Sequence, residues 1–212
     1  MTSELQQRQL KTFASLPECI KFQEEDIVDA ELETNTLCSR LLLQLEHMQN
    51  MFLIQRMLER HIEQPTSQLL ETSSKLVSQT LLFWTHRDRM LGLHGDLEWL
   101  VMGYAAPASG VLCLALLRGS DDTIPRSIII QQLSMLVAFF DWVQPQAPNA
   151  NVCHEVKGFI KHVLDQTLNV PSQEMAFDAA LLAADYQKDL SGLFNFELFD
   201  TFDWLPSSTA HL

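Results

Sequence analysis

Apolar residues recur at steps of three and four along most of the chain, which is the pattern of helices. The clearest run, from Leu37 through Leu45 to Phe52, predicts a helix over residues 35–62 that Pro65 ends. Five further helices are expected, over residues 67–92, 96–118, 123–143, 152–168 and 173–190. Because glycine is scarce, with 7 residues, the composition favours helices over sheets with frequent turns. The pattern predicts an all-α fold, an irregular bundle of about six helices with an acidic-aromatic C-terminal tail.

The distribution of polar and apolar residues divides the chain into three parts. Residues 1–33 are polar and acidic and are interrupted by Pro17, so we expect an acidic lead-in strap outside the core. Residues 34–190 carry the helical pattern and are expected to form one domain. Residues 191–212 form the acidic-aromatic tail.

The third predicted helix contains a proline and several small residues. Pro107 lacks a backbone N–H and is expected to kink this helix. Gly103, Pro107 and Gly110 either allow a neighbouring helix to approach closely or line a mostly apolar ligand pocket. Residues 100–117 include no charge over 18 positions, which is long enough for a membrane span. Because glycine and proline interrupt the run and Arg118 is its only basic flank, we interpret it as a buried helix and expect no membrane insertion.

The formal net charge of -13 is concentrated in two segments. Residues 18–33 hold seven acids against Lys21, and residues 171–212 hold seven acids against Lys188. The rest of the chain is almost neutral. Such a negative field repels phosphate, so we expect no direct binding to DNA or RNA.

Recognisable catalytic chemistry is missing from the sequence. The four cysteines are far apart and form neither a CxxC pair nor a zinc pattern, which favours a reducing compartment. The motifs GxGxxG, GxxxxGK[ST], HExxH and GxSxG do not occur, and residues 1–15 do not resemble a signal peptide. We therefore expect no catalytic residue, no cofactor and no metal site, and infer that the chain is not an enzyme.

A polar cluster before the third predicted helix has a structural interpretation. Asp96 suits a helix N-cap, and Glu98 suits the first turn of the helix that follows. We expect one of two arginines, Arg87 or Arg89, to pair with one of these acids at a partly buried site. Asp88 belongs to the same cluster.

The tail contains a short segment, residues 193–205, that is dense in aromatic side chains. Five of its 13 residues are aromatic, against 8% of the whole chain, and three acids but no base are interleaved with them. Like charges keep the aromatic side chains apart, so they remain available to a hydrophobic groove with a basic rim on a partner. Such acidic-hydrophobic alternation is typical of transcriptional activation segments; the alternative is one more helix docked on the bundle. The expected partner-binding residues are Phe194, Phe196, Leu198, Phe199, Phe202, Trp204 and Leu205.

The central part of the chain carries several stretches with a family likeness. They are residues 45–56 (LEHMQNMFLIQR), 84–89 (WTHRDR), 92–99 (GLHGDLEW), 107–112 (PASGVL), 133–142 and the helix around Cys153. Together these stretches resemble the regulatory (middle homology) domain that fungal zinc-cluster transcription factors carry behind their DNA-binding region. The resemblance covers about residues 35–170. The six-cysteine spacing of the zinc cluster is absent, so neither zinc nor DNA binding is carried over.

The resemblance implies a nuclear regulator of transcription with an α-helical regulatory domain. Such factors often place an activation segment where this chain has its acidic-aromatic tail. We therefore expect an effector region whose tail recruits coactivator or mediator-type proteins. The alternative is a metabolite-sensing or dimerisation domain with the tail docked intramolecularly, and the resemblance leaves a homodimer open.

Overall fold

The computed structural model describes residues 2–58, 65–90, 98–119, 123–147 and 150–169. Within these ranges the chain forms six α-helices longer than one turn and no strand, which confirms the predicted all-α fold of about six helices. The helices are α1 (Thr2–Ala14), α2 (Thr34–Leu58), α3 (Ser67–Thr85), α4 (Ala106–Arg118), α5 (Arg126–Phe140) and α6 (Ala150–Asn169). A single α-turn, Glu98–Leu100, and a π-helical segment, Val101–Ala105, lead into α4.

The set of helices differs from the expected set at both ends of the chain. Helices α2 to α6 correspond to the first five predicted helices, whereas the sixth, over residues 173–190, lies outside the described residues. Helix α1 lies within the predicted strap, and the pattern of apolar residues did not predict it because this part of the chain is mostly polar. After Pro17, two short 3-10 helices, Glu18–Ile20 and Glu24–Ile27, carry the chain to α2.

Helix α3 lies in the middle of the bundle. It packs against α2, α4 and α5, while α6 packs against α4 and α5 and α1 packs against α2. The largest side chains at the centre, Phe52, Phe83 and Phe139, come from three different helices and are each at most 1% exposed. Fully burying a side chain of this size is worth about 1.5–3 kcal/mol, so these contacts hold the three helices together.

Helix α4 is buried on all sides, as the sequence predicts. Of its 13 residues, 11 are buried, and the other two, Leu114 and Arg118, are half-buried. Residues Val101–Arg118 are long and apolar enough to cross a membrane by length and composition, but 78% of this window is buried inside the protein. Gly119 ends the helix in the left-handed conformation, with φ of 61°, which glycine adopts without steric cost.

A polar network that is buried at Ser74 and Gln132 fixes α3 against α5. The side-chain nitrogen of Gln132 donates to the hydroxyls of Ser74 (2.8 Å) and Ser78 (2.6 Å), and the Ser74 hydroxyl donates to the Gln132 oxygen (3.0 Å). Buried polar groups cost free energy unless they are hydrogen-bonded. The network is therefore satisfied only in one register of the two helices.

Helix α1 is held on α2 by an aromatic stack. The rings of Phe13 and His47 are nearly parallel, with centroids 3.9 Å apart. Gln9 Nε2 donates to His47 Nδ1 at 3.2 Å, which requires that ring nitrogen to be unprotonated. Burial lowers the pKa of His47 below its ordinary value of 6.5. The folded state therefore favours the neutral imidazole.

This arrangement predicts that α1 docks less stably in mild acid. The pKa of His47 is lower in the folded state than in the unfolded state, where it is about 6.5, so unfolding takes up a proton in mild acid. The stability that neutral His47 contributes is therefore present above about pH 6.5 and is lost as the pH falls below that value. Hydrogen-exchange protection factors of residues 2–14 should fall between about pH 7.5 and about pH 5.5. In the variant His47→Phe, which keeps a ring for the stack, protection should not depend on pH over this range. Equal pH dependence in both proteins would contradict the assignment.

Candidate functional site

Arg89, in the turn after α3, holds the acidic segment of the predicted strap. Its guanidinium donates to four backbone carbonyls: Nη1 to Asp26 (3.0 Å) and Ile27, and Nη2 to Asp29 (2.8 Å) and Leu32 (3.1 Å). The flat guanidinium presents its N–H groups in a fixed fork, which suits a cluster of convergent carbonyl oxygens. One side chain thus binds four carbonyls, of which that of Asp29 also accepts from the backbone N–H of Leu32 at 3.4 Å.

A second arginine binds the same segment through a carboxylate. Arg40 Nη1 on α2 lies 2.6 Å from Asp26 Oδ1, and Asp26 is only 8% exposed. The other oxygen, Asp26 Oδ2, accepts from the backbone N–H of Gln23 at 2.9 Å. Thr34 at the start of α2 donates its hydroxyl to the carbonyl of Arg89 at 3.0 Å. We call residues 23–34 together with Arg40 and Arg89 the arginine clip.

The predicted polar cluster is only partly described by the structure. Asp96 and the Glu98 side chain lie outside the described residues, so their expected pairing with an arginine stays a prediction. The described acceptors of Arg89 are backbone carbonyls about sixty positions earlier in the chain. Arg87 is exposed; its guanidinium lies 5.9 Å from the ring centroid of Trp84. Asp88 is exposed.

The backbone before Pro107 adjusts to the hydrogen bond that this proline cannot donate. Because Pro107 has no N–H, the carbonyl of Gly103 four residues earlier lacks its usual α-helical donor. The chain widens into the π-helical segment, in which the N–H of Ala106 bonds to the carbonyl of Val101. Gln49 Nε2 on α2 then donates to the carbonyl of Gly103 at 3.0 Å. The expected disturbance thus takes the form of a π-helical turn supported by a glutamine side chain.

The three residues proposed to line a pocket differ in their surroundings. Pro107 and Gly110 are buried, and Gly103 is half-buried. A Cβ at Gly103 would meet no atom within 4 Å, so the interpretation that this glycine permits close helix approach is wrong. Their role as lining of a ligand pocket stays a prediction.

The same π-helical segment carries a buried tyrosine that reaches α2. The hydroxyl of Tyr104 donates to Glu46 Oε1 at 2.5 Å, and the ring meets Trp99 edge-on with centroids 6.1 Å apart. Burial, and secondarily the neighbouring Glu46 carboxylate, raises the pKa of Tyr104 well above its ordinary value. The tyrosine therefore stays protonated and acts as a hydrogen-bond donor between the two elements.

A cavity of about 270 Å³ lies between the end of α5 and the first turns of α6. Its lining consists of Phe140, Asp141, Val143, Pro145, Ala150, Asn151, Cys153, His154 and Lys157. Lys157 Nζ forms an ion pair with the Asp141 carboxylate at the rim. The pKa of Asp141 is lowered by this hydrogen bond and by the positive charges of Lys157, Lys161 and His154. Sequence reasoning did not find this cavity, because its walls combine a helix end, a loop and a second helix.

Metal-ligating side chains and cysteine thiols are the candidate reactive groups of the described residues. Within them, no group of three or more His, Cys, Asp or Glu side chains could hold a metal ion. Burial raises the pKa of the Cys113 thiol far above its ordinary value, which keeps the nucleophilic thiolate from forming. The seven predicted partner-binding residues of the tail lie outside the described part of the chain.

The arginine clip predicts a large stability effect for one arginine and a small effect for its neighbour. Arg89→Ala should lower the free energy of unfolding by about 2–4 kcal/mol, because four carbonyls lose a charged donor. Arg89→Lys should not restore it, because an ammonium cannot span the four acceptors. Arg87→Ala is the matched control and should cost less than about 1 kcal/mol. Urea denaturation of the three variants tests this, and an Arg89→Ala midpoint equal to the wild-type midpoint would contradict it.

The chain matches no protein-family model, and no curated protein and no solved structure matches it. The likeness of residues 35–170 to the regulatory domain of zinc-cluster factors therefore stays a prediction from the sequence.

Proposed function

We propose that this chain is the effector and regulatory region of a fungal-type transcription factor and acts in the nucleus. Its C-terminal acidic-aromatic segment recruits coactivator or mediator-type proteins. One observation carries the proposal: residues 193–205 combine five aromatic side chains with three acids and no base. The likeness of residues 35–170 to a fungal regulatory domain supports it independently of the tail.

The chemistry of the segment suits a short linear ligand. An amphipathic helix binds a groove through apolar residues at helical spacing, and Leu198, Phe199 and Phe202 would share such a stripe if the segment were helical. In that helix Glu197, Asp200 and Asp203 would lie on the opposite arc and face a basic rim. Such a segment becomes ordered when it binds, and the entropy cost of this ordering gives modest affinity and reversible recruitment.

The helical bundle supplies a stable carrier for this segment. The buried core of the described helices is built from residues between Leu37 and Leu164. With a net charge of -13, the chain is unsuited to contact phosphate directly. A separate DNA-reading protein or domain would therefore bring the bundle and its tail to a promoter.

The cavity between α5 and α6 favours a second candidate function. Its volume and mixed lining suit a small ligand or an inserted side chain. In this alternative the chain is a metabolite-sensing or dimerisation domain with the tail docked on its own bundle. The two functions are compatible, because a ligand could change how much of the tail is available to a partner.

The proposal predicts that the tail activates transcription on its own. Residues 186–212 fused to an unrelated DNA-binding domain should activate a reporter gene. The combined change Phe199→Ala, Phe202→Ala and Trp204→Ala should reduce activation about tenfold or more, because buried aromatic anchors dominate the energy of such interfaces.

A matched control changes three polar residues of the same tail. The combined change Ser207→Ala, Ser208→Ala and Thr209→Ala should leave activation unchanged, with equal protein levels verified by immunoblot. An inactive wild-type fusion at normal abundance would rule out an activation segment.

A further inference from the structure

The lining of the cavity between α5 and α6 is about half apolar and half polar. Phe140, Val143, Pro145 and Cys153 contribute apolar surface to it, and Cys153 is only 2% exposed. Its volume of about 270 Å³ is large enough for one aromatic side chain. An aromatic ring placed there would exchange water contact for apolar contact on part of its surface.

The rim of this cavity carries more basic than acidic side chains. Lys157 and His154 line it, and Lys161 lies one turn further along the same side of α6. Lys157 pairs with Asp141 there, and the positive charges of Lys161 and His154 also lower the pKa of Asp141. Asp141 is the acid paired there. Glu155 precedes Lys157 by two residues and therefore points to nearly the opposite side of the helix.

The acidic-aromatic segment is close enough in the chain to reach this cavity. Helix α6 ends at Asn169, about 18 Å beyond Lys157 along its axis. Residues 170–192 supply 23 positions before the segment begins. This length spans about 35 Å as a helix and about 75 Å when extended. The chain can therefore turn back over α6 and bring residues 193–205 to the rim.

We infer that residues 193–205 dock into the α5–α6 cavity when no partner is bound. In this docked state the Phe199 or Phe202 side chain packs against the apolar part of the lining, while Asp200 and Asp203 face Lys157 and Lys161. The inference deepens the proposed function and rests on it for its biological meaning, since it assigns the segment two alternative binding sites. Docking within one chain occurs at an effective concentration in the mM range, so weak contacts suffice.

The consequence is regulation by competition. A coactivator must displace the segment from the cavity before it binds, so the intact chain should bind a coactivator less tightly than the free segment does. Any event that fills the cavity or neutralises Lys157 and Lys161 would release the segment. The same bundle that carries the segment thereby limits its availability.

The test measures binding of a fluorescein-labelled peptide of residues 193–205 to two full-length chains by fluorescence anisotropy. One chain is the wild type, whose own tail competes for the cavity. The other carries Phe199→Ala, Phe202→Ala and Trp204→Ala, so its tail cannot compete. We expect the second chain to bind the peptide about tenfold or more tightly than the wild type. Equal affinity for both chains, or binding to neither, overturns the inference.

A pair of lysine variants locates the site. In the chain with the three tail substitutions, Lys161→Glu should weaken peptide binding about tenfold, because it places a like charge against the acids of the peptide. Lys75→Glu on α3 is the matched control, an identical change at another exposed lysine, and should leave binding unchanged. Circular dichroism melting verifies that both variants fold. If Lys161→Glu leaves the affinity for the peptide unchanged, the peptide binds elsewhere and the inference is overturned.

This experiment and the reporter experiment fail independently. Peptide binding at the cavity with an inactive reporter fusion would retain the docking and reject the activation function. An active fusion without peptide binding would retain the function and reject the docking.

Discussion

The bundle depends on keeping helix α4 away from water. This helix is apolar around its whole circumference, so neighbours must cover it on every side, and α3, α5 and α6 do so. Complete burial also means that each backbone group must find a partner inside the protein. Pro107 breaks this condition at Gly103, and the π-helical turn together with Gln49 restores it. A single buried proline thus determines the backbone geometry before α4 and one side chain of α2.

Charge acts differently at the two acidic segments of the chain. Residues 18–33 carry a large negative charge, yet Arg89 binds their carbonyls, and their one buried acid, Asp26, pairs with Arg40. The other described acids of this segment remain exposed to water, where a charge costs little. The arginine clip therefore holds an acidic segment against the bundle without burying most of its charge.

The sequence predicts the helical architecture well, because the apolar spacing of α2 to α6 directly reflects burial. Helix α1 was not predicted, because its composition is polar; its contacts with α2 include the stack between Phe13 and His47 and the hydrogen bond from Gln9 to His47. The partners of Arg89 were not predictable either, because pattern reasoning pairs an arginine with nearby carboxylates, whereas its acceptors are distant backbone carbonyls. The α5–α6 cavity has no sequence signature, since it arises from how two helices and their connection meet.

The proposed docking would link the tail and the cavity through the separation of charges along the chain. The acids that we expect to keep the aromatic side chains of residues 193–205 apart would also be attracted to Lys157 and Lys161 on α6. Attraction of this kind is strengthened by covalent linkage but stays reversible, because exposed ion pairs are individually weak. A segment that is held weakly by its own bundle can respond to a partner that offers a deeper groove, and recruitment requires that balance.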